Sequence, residues 1–268
     1  MYEKHRLTAA YPMRFVNHER PYMSYFVPHW HENIEIINIT EGSARVILNS
    51  REVRGGVGTT FVVNSGYIHQ YFSTKGTLKY HCLIISVEFL KQLGLDFTDI
   101  EAELCVNDDN ITRLFASLGD IVKQQKQYYK PESIAEALKI ATMLMREHTV
   151  RSGIIAAEKN NKTELVKKSI SYLRNNFEKQ LTLDMVCSEV GVSKYYLCHA
   201  FKDVTKMTFT KMLNYIRCQE AKRLFLNSEA NVCEAARKCG YENMSYFTKT
   251  YKSVMGCLPS EDMRNPGK

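Results

Sequence analysis

The 268-residue sequence lacks the features that would direct it to a membrane or out of the cell. No apolar run approaches the roughly 18 residues that a membrane span requires, and the longest candidate, Cys82 to Val87, has the length of a strand. Residues 1–14 carry charges but no apolar core of the signal-peptide type. The eight cysteines include no C-x-x-C pair, so we expect neither zinc ligands of that spacing nor disulfides. We therefore expect a cytoplasmic protein with no membrane partner.

Residues 1–160 also lack any charge excess, since 18 Lys and Arg balance 18 Asp and Glu. Residues 161–268 hold 18 Lys and Arg against 11 Asp and Glu, so the whole net charge of +7 lies in this part. A basic module joined to a neutral one favours a polyanion such as nucleic acid as the partner of the basic module.

The apolar pattern changes along the chain and predicts an α+β protein of two domains. From about Arg14 to Val87, β-branched runs such as "IEIINIT" and "HCLIIS" are broken by glycines, which is typical of a β-barrel or sandwich. Two amphipathic helices follow from Asn110, with a break at residues 129–131, and either cover a sheet face or form a dimer seam. We predict a sensing and dimerisation domain at 1–155, a polar linker without periodicity at 156–164, and a helical domain at 165–268.

The stretch "GVSKYYLCHAFK" predicts a tight turn between two helices. Gly191 follows a short helix, where a left-handed residue is favoured, and Ser193 is placed to cap the next helix. Helical spacing puts Tyr196, Leu197, Ala200 and Phe201 on the core face. The outward face, rich in donors and cations, suits a DNA major groove and consists of Lys194, Tyr195, Cys198, His199 and Lys202.

The same pattern recurs about fifty residues later, in "AARKCGYENMSYFTKTYK". A short helix, Gly240 and a polar turn precede a helix with Tyr246, Phe247, Thr250 and Tyr251 on its core face. Its outward face consists of Asn243, Ser245, Thr248, Lys249 and Lys252. Two such units predict two DNA-reading helices in one domain.

From about Leu165 to Arg264 the chain resembles the AraC/XylS family of bacterial transcription regulators. The resemblance rests on "LTLDMVCSEVGVSKYYLCHAFK", on "YIRCQEAKRLF", on the pair Gly240 and Tyr241, and on Gly256 with Pro259. It implies two helix-turn-helix units bridged by a helix over 209–226, on which Arg217 is expected to be structural. The chain departs from the family pattern at Lys206, where glycine is usual, and at His199, where arginine is usual.

In the N-terminal part, "PHWHENIEIINITEG" and "GTTFVVNSGYIHQ" resemble the two halves of the cupin pattern, although Asn64 stands where proline is usual. On a strand, His29, His31 and Glu35 share parity, so that His69 from a second strand can join them in a barrel interior. Such a set can bind Fe, Mn or Zn. We favour a sensing pocket without metal or other cofactor, with candidate ligand-binding residues Arg14, Tyr25, His29, Trp30, His31, Glu35, His69 and Tyr71.

Together these features predict a DNA-binding transcription regulator that is not an enzyme. We expect it to be an activator controlled by a small molecule such as a sugar, with promoter DNA, RNA polymerase and a second copy of itself as partners. Two alternatives remain: a metal-dependent cupin enzyme with a helical DNA-binding tail, and a constitutive DNA-binding protein whose barrel senses nothing.

Overall fold

The computed structural model describes residues 5, 7–20, 28–97, 100–151 and 155–264. The chain divides into two compact units, and the boundary along the chain falls between Asn160 and Asn161. The N-terminal unit contains all the strands that the structure describes, and its C-terminal counterpart contains helices. This division confirms the predicted two-domain α+β class. The exact bounds 1–155 and 165–268 remain a proposal.

The strands of the N-terminal unit form one sheet of six and one of two. In chain order they are β1 (Met13–Arg20), β2 (Ile34–Leu48), β3 (Arg51–Gly56), β4 (Thr59–Val63), β5 (His69–Ile85), β6 (Ile100–Ala102), β7 (Cys105–Asn107) and β8 (Thr149–Arg151). The large sheet has the order β1-β5-β2-β4-β7, with β3 paired to β2, and β6 pairs with β8. The expected barrel is therefore not closed by hydrogen bonds among the described strands, although the fold remains cupin-like.

Strand β2 continues through Gly42, although the sequence suggested two runs separated by this glycine. Pairing with β5 shifts register at three places between Ile39 and Ala44, which is the signature of β-bulges. Gly42 has a φ of +80°, and a Cβ there would lie 2.3 Å from the carbonyl oxygen of Thr77. The glycine thus allows β2 to bend while it pairs with β5 on both sides of the bend.

The two faces of the sheet have separate apolar cores. Ile34 and Ile36 of β2 face the core that includes Phe115 and Ile140 from the helices, whereas Ile37 and Ile39 face the other side of the sheet. Three helices of the described ranges lie entirely within this unit: α1 (Val87–Gln92), α2 (Asp109–Gln124) and α3 (Tyr129–Glu147). Helices α2 and α3 therefore cover a sheet face, one of the two roles expected of them.

The expected break at residues 129–131 is wrong, because α3 begins at Tyr129 and accommodates Pro131 in its first turn. A proline there lacks only an N–H that the helix leaves unpaired. The break lies just before, where Gln125 and Tyr128 adopt positive φ angles.

The C-terminal part is helical, as expected, and the predicted bridging helix over 209–226 has those bounds. The helices of this part are α4 (Ile155–Asn176), α5 (Leu183–Val190), α6 (Lys194–Thr205), α7 (Phe209–Leu226), α8 (Val232–Lys238), α9 (Met244–Met255) and α10 (Pro259–Arg264). Segment 156–164 is helical as part of α4, and its role as the linker between the two domains remains a proposal. Polar sequence without an apolar stripe does not exclude a helix that continues into a packed one. No helix in the described ranges is long and apolar enough to span a membrane.

Candidate DNA-binding and ligand-binding sites

Local capping fixes the two helix-turn-helix units. Gly191 ends α5 in the left-handed conformation, and the Ser193 hydroxyl accepts a hydrogen bond from the Tyr196 amide, as the sequence predicts. In the second unit, the Asn231 side chain and Glu234 form a capping box at α8, and Asn243 caps α9 by accepting from the amide of Tyr246 at 2.8 Å. Each predicted DNA-reading helix therefore starts at a defined residue.

The predicted outward face of α6 is exposed along its whole length. Lys194, Tyr195, Cys198, His199 and Lys202 are all exposed, and Tyr195 keeps 83% of its accessible surface. The rings of Tyr195 and His199 lie 6.4 Å apart in a stacked arrangement. The Nζ of Lys194 lies 2.7 Å from Asp184 of α5, so this lysine braces the turn as well as facing outward.

The corresponding face of α9 is also open to solvent. Ser245, Lys249 and Lys252 are exposed, whereas Thr248 is partly buried and its hydroxyl donates to the carbonyl of Met244 at 2.9 Å. The side-chain oxygen of Asn243 is occupied by its capping bond. Asn243 and Thr248 therefore contribute less freely to an outer surface than the spacing suggested.

Two residues that we expected in the core lie at its edge. Tyr196 is 45% exposed and Tyr246 is 49% exposed, while their neighbours Leu197 and Phe247 are fully buried. The hydroxyl of Tyr246 accepts a hydrogen bond from Asn214 of α7. Both tyrosines lie beside the outward faces and add phenol groups to them. Helical spacing alone had placed these two side chains in the core.

Helix α7 connects the two helix-turn-helix units, and one buried arginine on it contacts the segments around it. At 1.5 Å per residue its 18 residues span about 27 Å. Arg217 is 7% exposed and donates from Nε to the carbonyl of Phe177 at 2.8 Å and from Nη2 to that of Lys179 at 2.7 Å. Its guanidinium also lies over the ring of Tyr241. As expected, Arg217 is structural, because it joins the end of α4 to the Gly240–Tyr241 turn.

One departure from the family pattern has a backbone consequence. Lys206 ends α6 in the left-handed conformation, with a φ of +54°. A side chain in this region costs roughly 1 kcal/mol relative to glycine. The Nζ of Lys206 lies 3.7 Å from Asp203, a partly exposed pair that offsets little of this cost.

In the N-terminal unit, a cavity of about 240 Å³ adjoins the predicted ligand-binding residues. Arg14 pairs with Ile84, which in turn pairs with Glu35, so these side chains share one face across β1, β5 and β2. Arg14, His29, Glu35 and Tyr71 line this cavity. Trp30 is 5% exposed and is not among the lining residues, while Tyr25 lies outside the described residues.

Several cavity residues escaped the sequence analysis. Val16, His18, Tyr80, Cys82 and Ile84 line the cavity from β1 and β5. All five have even numbers and lie on paired strands. Because side chains on a strand alternate between its two faces, these five residues share one face, and the period of two in the sequence already indicated this. The missing information was which face of β5 is turned toward the cavity.

Four buried residues meet at one end of the cavity. The potential ligand atoms of His29, His31, Glu35 and His69 all lie within 4.8 Å of one another. Only Glu35 lies on β2; His29 reaches the group through an isolated bridge with His69, in which their amides and carbonyls exchange hydrogen bonds of 2.9 and 3.1 Å. The predicted convergence is correct, but a shared strand parity is the wrong reason for it.

Glu35 is the most enclosed group of this cluster. Its Oε1 accepts from the Tyr71 hydroxyl at 3.0 Å and from the Cys82 thiol at 3.3 Å, and its Oε2 lies 2.8 Å from Nε2 of His31. Burial raises the pKa of Glu35, but the interactions with His31 and His69 together outweigh it and hold this pKa well below its usual value. Burial, followed by the charge of Glu35, raises the pKa of Tyr71 well above its usual value. The cluster therefore holds a carboxylate beside a neutral phenol.

The comparisons with known proteins agree with this two-part architecture. A model of the AraC-like ligand binding domain matches residues 12–142, and a model of a helix-turn-helix domain matches residues 186–265. The uncharacterized HTH-type transcriptional regulator YdeC of Bacillus subtilis is 22% identical over 87% of this chain and 85% of its own. The HTH-type transcriptional activator RhaR of Cronobacter sakazakii is 27% identical over 87% of this chain and 85% of its own.

A solved structure supports the fold alone. An apo ToxT variant from Vibrio cholerae matches with a TM-score of 0.51 at 16% identity, over 94% of this chain and 97% of the other. The fold and its two sites define a transcription regulator with a ligand-binding domain and a DNA-binding domain. The chain belongs to the AraC/XylS family.

Proposed function

We propose that this regulator is an activator that reads promoter DNA through α6 and α9 and responds to a small polar molecule in the N-terminal cavity. The observation that carries the proposal is the pair of exposed, cation-bearing helix faces, each held by a capped turn. Activation is supported by the printed name of the relative RhaR, a transcriptional activator. We propose that the chain acts in the cytoplasm, contacts RNA polymerase, and has no catalytic activity of its own.

A sugar is the effector class that we propose, because the cavity is small and its walls combine polar and apolar groups. Arg14, Glu35 and Tyr71 place donors and acceptors around an interior also lined by Val16 and Ile84. Such a mixture fixes the orientation of a hydroxyl-rich ligand while burying its ring. The effector acts on DNA binding only to the extent that it binds one arrangement of the protein more tightly than another.

Substitution of single side chains on the two outward faces is expected to separate phosphate contacts from base contacts. Lys252→Ala should weaken binding to all sequences alike and reduce the slope of log affinity against log salt by about one unit. Lys249→Ala and His199→Ala should instead change base preference by about 1 to 3 kcal/mol. Fluorescence anisotropy with operator and scrambled duplexes over a salt series measures both effects.

The matched control is Lys91→Ala, which removes an exposed lysine from α1 in the N-terminal unit and should leave both quantities unchanged. Equal losses on every duplex from Lys249→Ala and His199→Ala would contradict the assignment of base contacts. Failure of the intact chain to bind any duplex at low salt would contradict the proposed function itself.

We further propose that the protein is a homodimer through α2 and α3, because closed twofold dimers are the commonest soluble assemblies. Their deepest apolar residues cover the sheet, but Leu138, Met143 and Met145 of α3 are only partly buried and remain available to a partner. Sedimentation velocity at micromolar concentration should give the mass of a dimer, and Leu138→Glu should shift it toward the monomer. A monomer both with and without DNA would exclude this interface.

A further inference from the structure

The second helix-turn-helix unit holds one phenol group in a fixed position beside its outward face. Tyr246 is the third residue of α9, and its side chain is 49% exposed. Its hydroxyl oxygen accepts a hydrogen bond from Nδ2 of Asn214 on α7, at a distance of 3.0 Å. Because the oxygen accepts on the side that faces the protein, the hydroxyl hydrogen remains available to an acceptor outside.

The ring of Tyr246 is fixed by a second set of contacts. Its centroid lies 6.0 Å from that of the Tyr241 ring, and the hydroxyl of Tyr241 donates to Oδ1 of Asn214 at 3.4 Å. The guanidinium of Arg217 lies over the ring of Tyr241, 5.4 Å from its centroid. These contacts run from Arg217 through Tyr241 and Asn214 to Tyr246, so the phenol is oriented before DNA binds. Such preorganisation lowers the entropy cost of binding.

The first unit repeats the placement of this phenol. Tyr196 is likewise the third residue of its helix, α6, and is 45% exposed. In both units the capping side chain, that of Ser193 or Asn243, accepts a hydrogen bond from the amide of the tyrosine. Each proposed reading helix therefore carries a tyrosine at the same position, at the flank of its outward face.

The flank of a reading helix lies next to the DNA backbone. A helix with side chains is about 10 to 12 Å in diameter and fills a major groove about 12 Å wide, so its central face meets base edges and its flanks meet the phosphates along the groove. Tyrosine hydroxyls are among the groups that donate to phosphate oxygens. Because the acceptor is ionised, such a hydrogen bond is stronger than one between neutral groups.

We propose that Tyr246 donates its hydroxyl hydrogen to a phosphate of the DNA backbone and that Asn214 is the positioning residue that directs this hydrogen outward. The inference rests on the proposed function, since it names a contact that α9 makes in the same complex. It gives α7 a role beyond joining the two units, because this helix then orients a DNA contact of the second unit. The contact fixes the register of α9 on the duplex and carries no base preference.

Tyr246→Phe, which removes only the hydroxyl group, tests this contact in the full-length chain. Fluorescence anisotropy over a salt series compares a duplex that the wild type selects from a random library with a scrambled duplex. We expect about 10-fold weaker binding to both duplexes, because a hydrogen bond to a charged acceptor is lost. The slope of log affinity against log salt should stay unchanged, because a neutral phenol displaces no counterions. The variant thus differs from Lys252→Ala in slope and from Lys249→Ala in sequence dependence.

Replacement of single phosphates by uncharged methylphosphonates identifies the phosphate that Tyr246 contacts. At one position of the selected duplex, the replacement should weaken binding of the wild type about 10-fold more than binding of Tyr246→Phe. At the other positions the two proteins should lose equally. An equal loss at every position would mean that the hydroxyl contacts no phosphate and would overturn the proposal.

A double-mutant cycle tests the role of Asn214. Asn214→Ala should weaken DNA binding in the wild-type background and cost no further affinity in the Tyr246→Phe background. A purely structural asparagine would cost the same affinity in both. The matched control is Tyr67→Phe, which removes a phenol hydrogen bond to Glu101 in the N-terminal unit and should leave DNA affinity and its salt slope unchanged.

The outcomes separate this inference from the proposed function. A folded Tyr246→Phe chain, established by circular dichroism, that binds both duplexes as tightly as the wild type would overturn the inference alone. A loss confined to the selected duplex would also overturn it, because the hydroxyl would then contact a base. A wild-type chain that binds no duplex at low salt would contradict the proposed function and, with it, this contact.

Discussion

Gly240→Ala is expected to destabilise the C-terminal unit by about 4 kcal/mol and to abolish DNA binding at temperatures where the wild type is folded. Gly240 has a φ of +75°, a conformation that costs a side chain roughly 1 to 2 kcal/mol. A Cβ there would also lie 2.8 Å from the carbonyl oxygens of Phe177 and Glu178 and from Nη2 of Arg217. The backbone oxygens can yield only if the loop after α4 moves.

Movement of that loop would also break the Arg217 hydrogen bonds. The guanidinium is buried, and its bonds to Phe177 and Lys179 hold the same loop. A buried charge without its partners is among the few changes that cost several kcal/mol. Urea unfolding monitored by helical circular dichroism, together with an operator-binding assay, measures both parts of the prediction.

Gly256→Ala provides the control, since Gly256 has a φ of +83° but no heavy atom within 4 Å of the place that a Cβ would take. It should cost only about 1 kcal/mol, from the backbone conformation alone. Equal losses at the two glycines would show that the close approach to Arg217 and the α4 loop contributes nothing.

The sequence predictions were most accurate where the structure depends on residues that are close together in the chain, and least accurate where it depends on residues that are far apart. Both helix-turn-helix units could be predicted because a left-handed glycine, a capping Ser or Asn and a helical stripe lie within a few residues of each other. Tyr196 and Tyr246 were wrongly assigned to the core. Each lies at the edge of the apolar face of a short helix, where a tyrosine can expose its hydroxyl. Helical spacing alone does not distinguish a fully buried tyrosine from one at the edge of the core.

The N-terminal site depended on contacts that are distant in the chain. The bridge between His29 and His69 and the bonds from Tyr71 and Cys82 to Glu35 join segments that only the sheet brings together. The sequence suggested that His29, His31, Glu35 and His69 meet, but it did not show that Nδ1 of His31 and of His69 contact the carbonyls of Asn33 and Tyr67. Those orientations require backbone coordinates.

Helix α10 was not predicted from the sequence, and it carries a buried carboxylate, that of Asp262. Its Oδ2 accepts from the fully buried hydroxyl of Tyr251 at 2.8 Å, and its Oδ1 from Nζ of Lys222 at 3.3 Å. The group thereby joins α10 to α9 and α7. Six residues with few apolar positions give too little periodicity for detection.

Asp262→Ala is expected to destabilise the C-terminal unit by about 3 kcal/mol, because it leaves the Tyr251 hydroxyl and the Lys222 ammonium without their acceptor. Tyr251→Phe should cost about 1 kcal/mol. The double variant should lose less than the sum of the two, since removal of both partners leaves no buried hydroxyl unpaired. Strict additivity in urea unfolding would contradict the hydrogen bond.

The same carboxylate gives a dependence on pH with a defined sign. Burial raises the pKa of Asp262, but hydrogen bonds from Tyr251 and Cys257 and the Lys222 ammonium together hold it below its usual value. A depressed pKa in the folded state stabilises the protein above the unfolded value of about 3.9, and this contribution is lost as the pH falls through the folded value. The stability gap between wild type and Asp262→Asn should therefore be constant from pH 7 to 5 and shrink below about pH 4. A gap that stays unchanged down to pH 3 would mean that the charge of Asp262 contributes no stability.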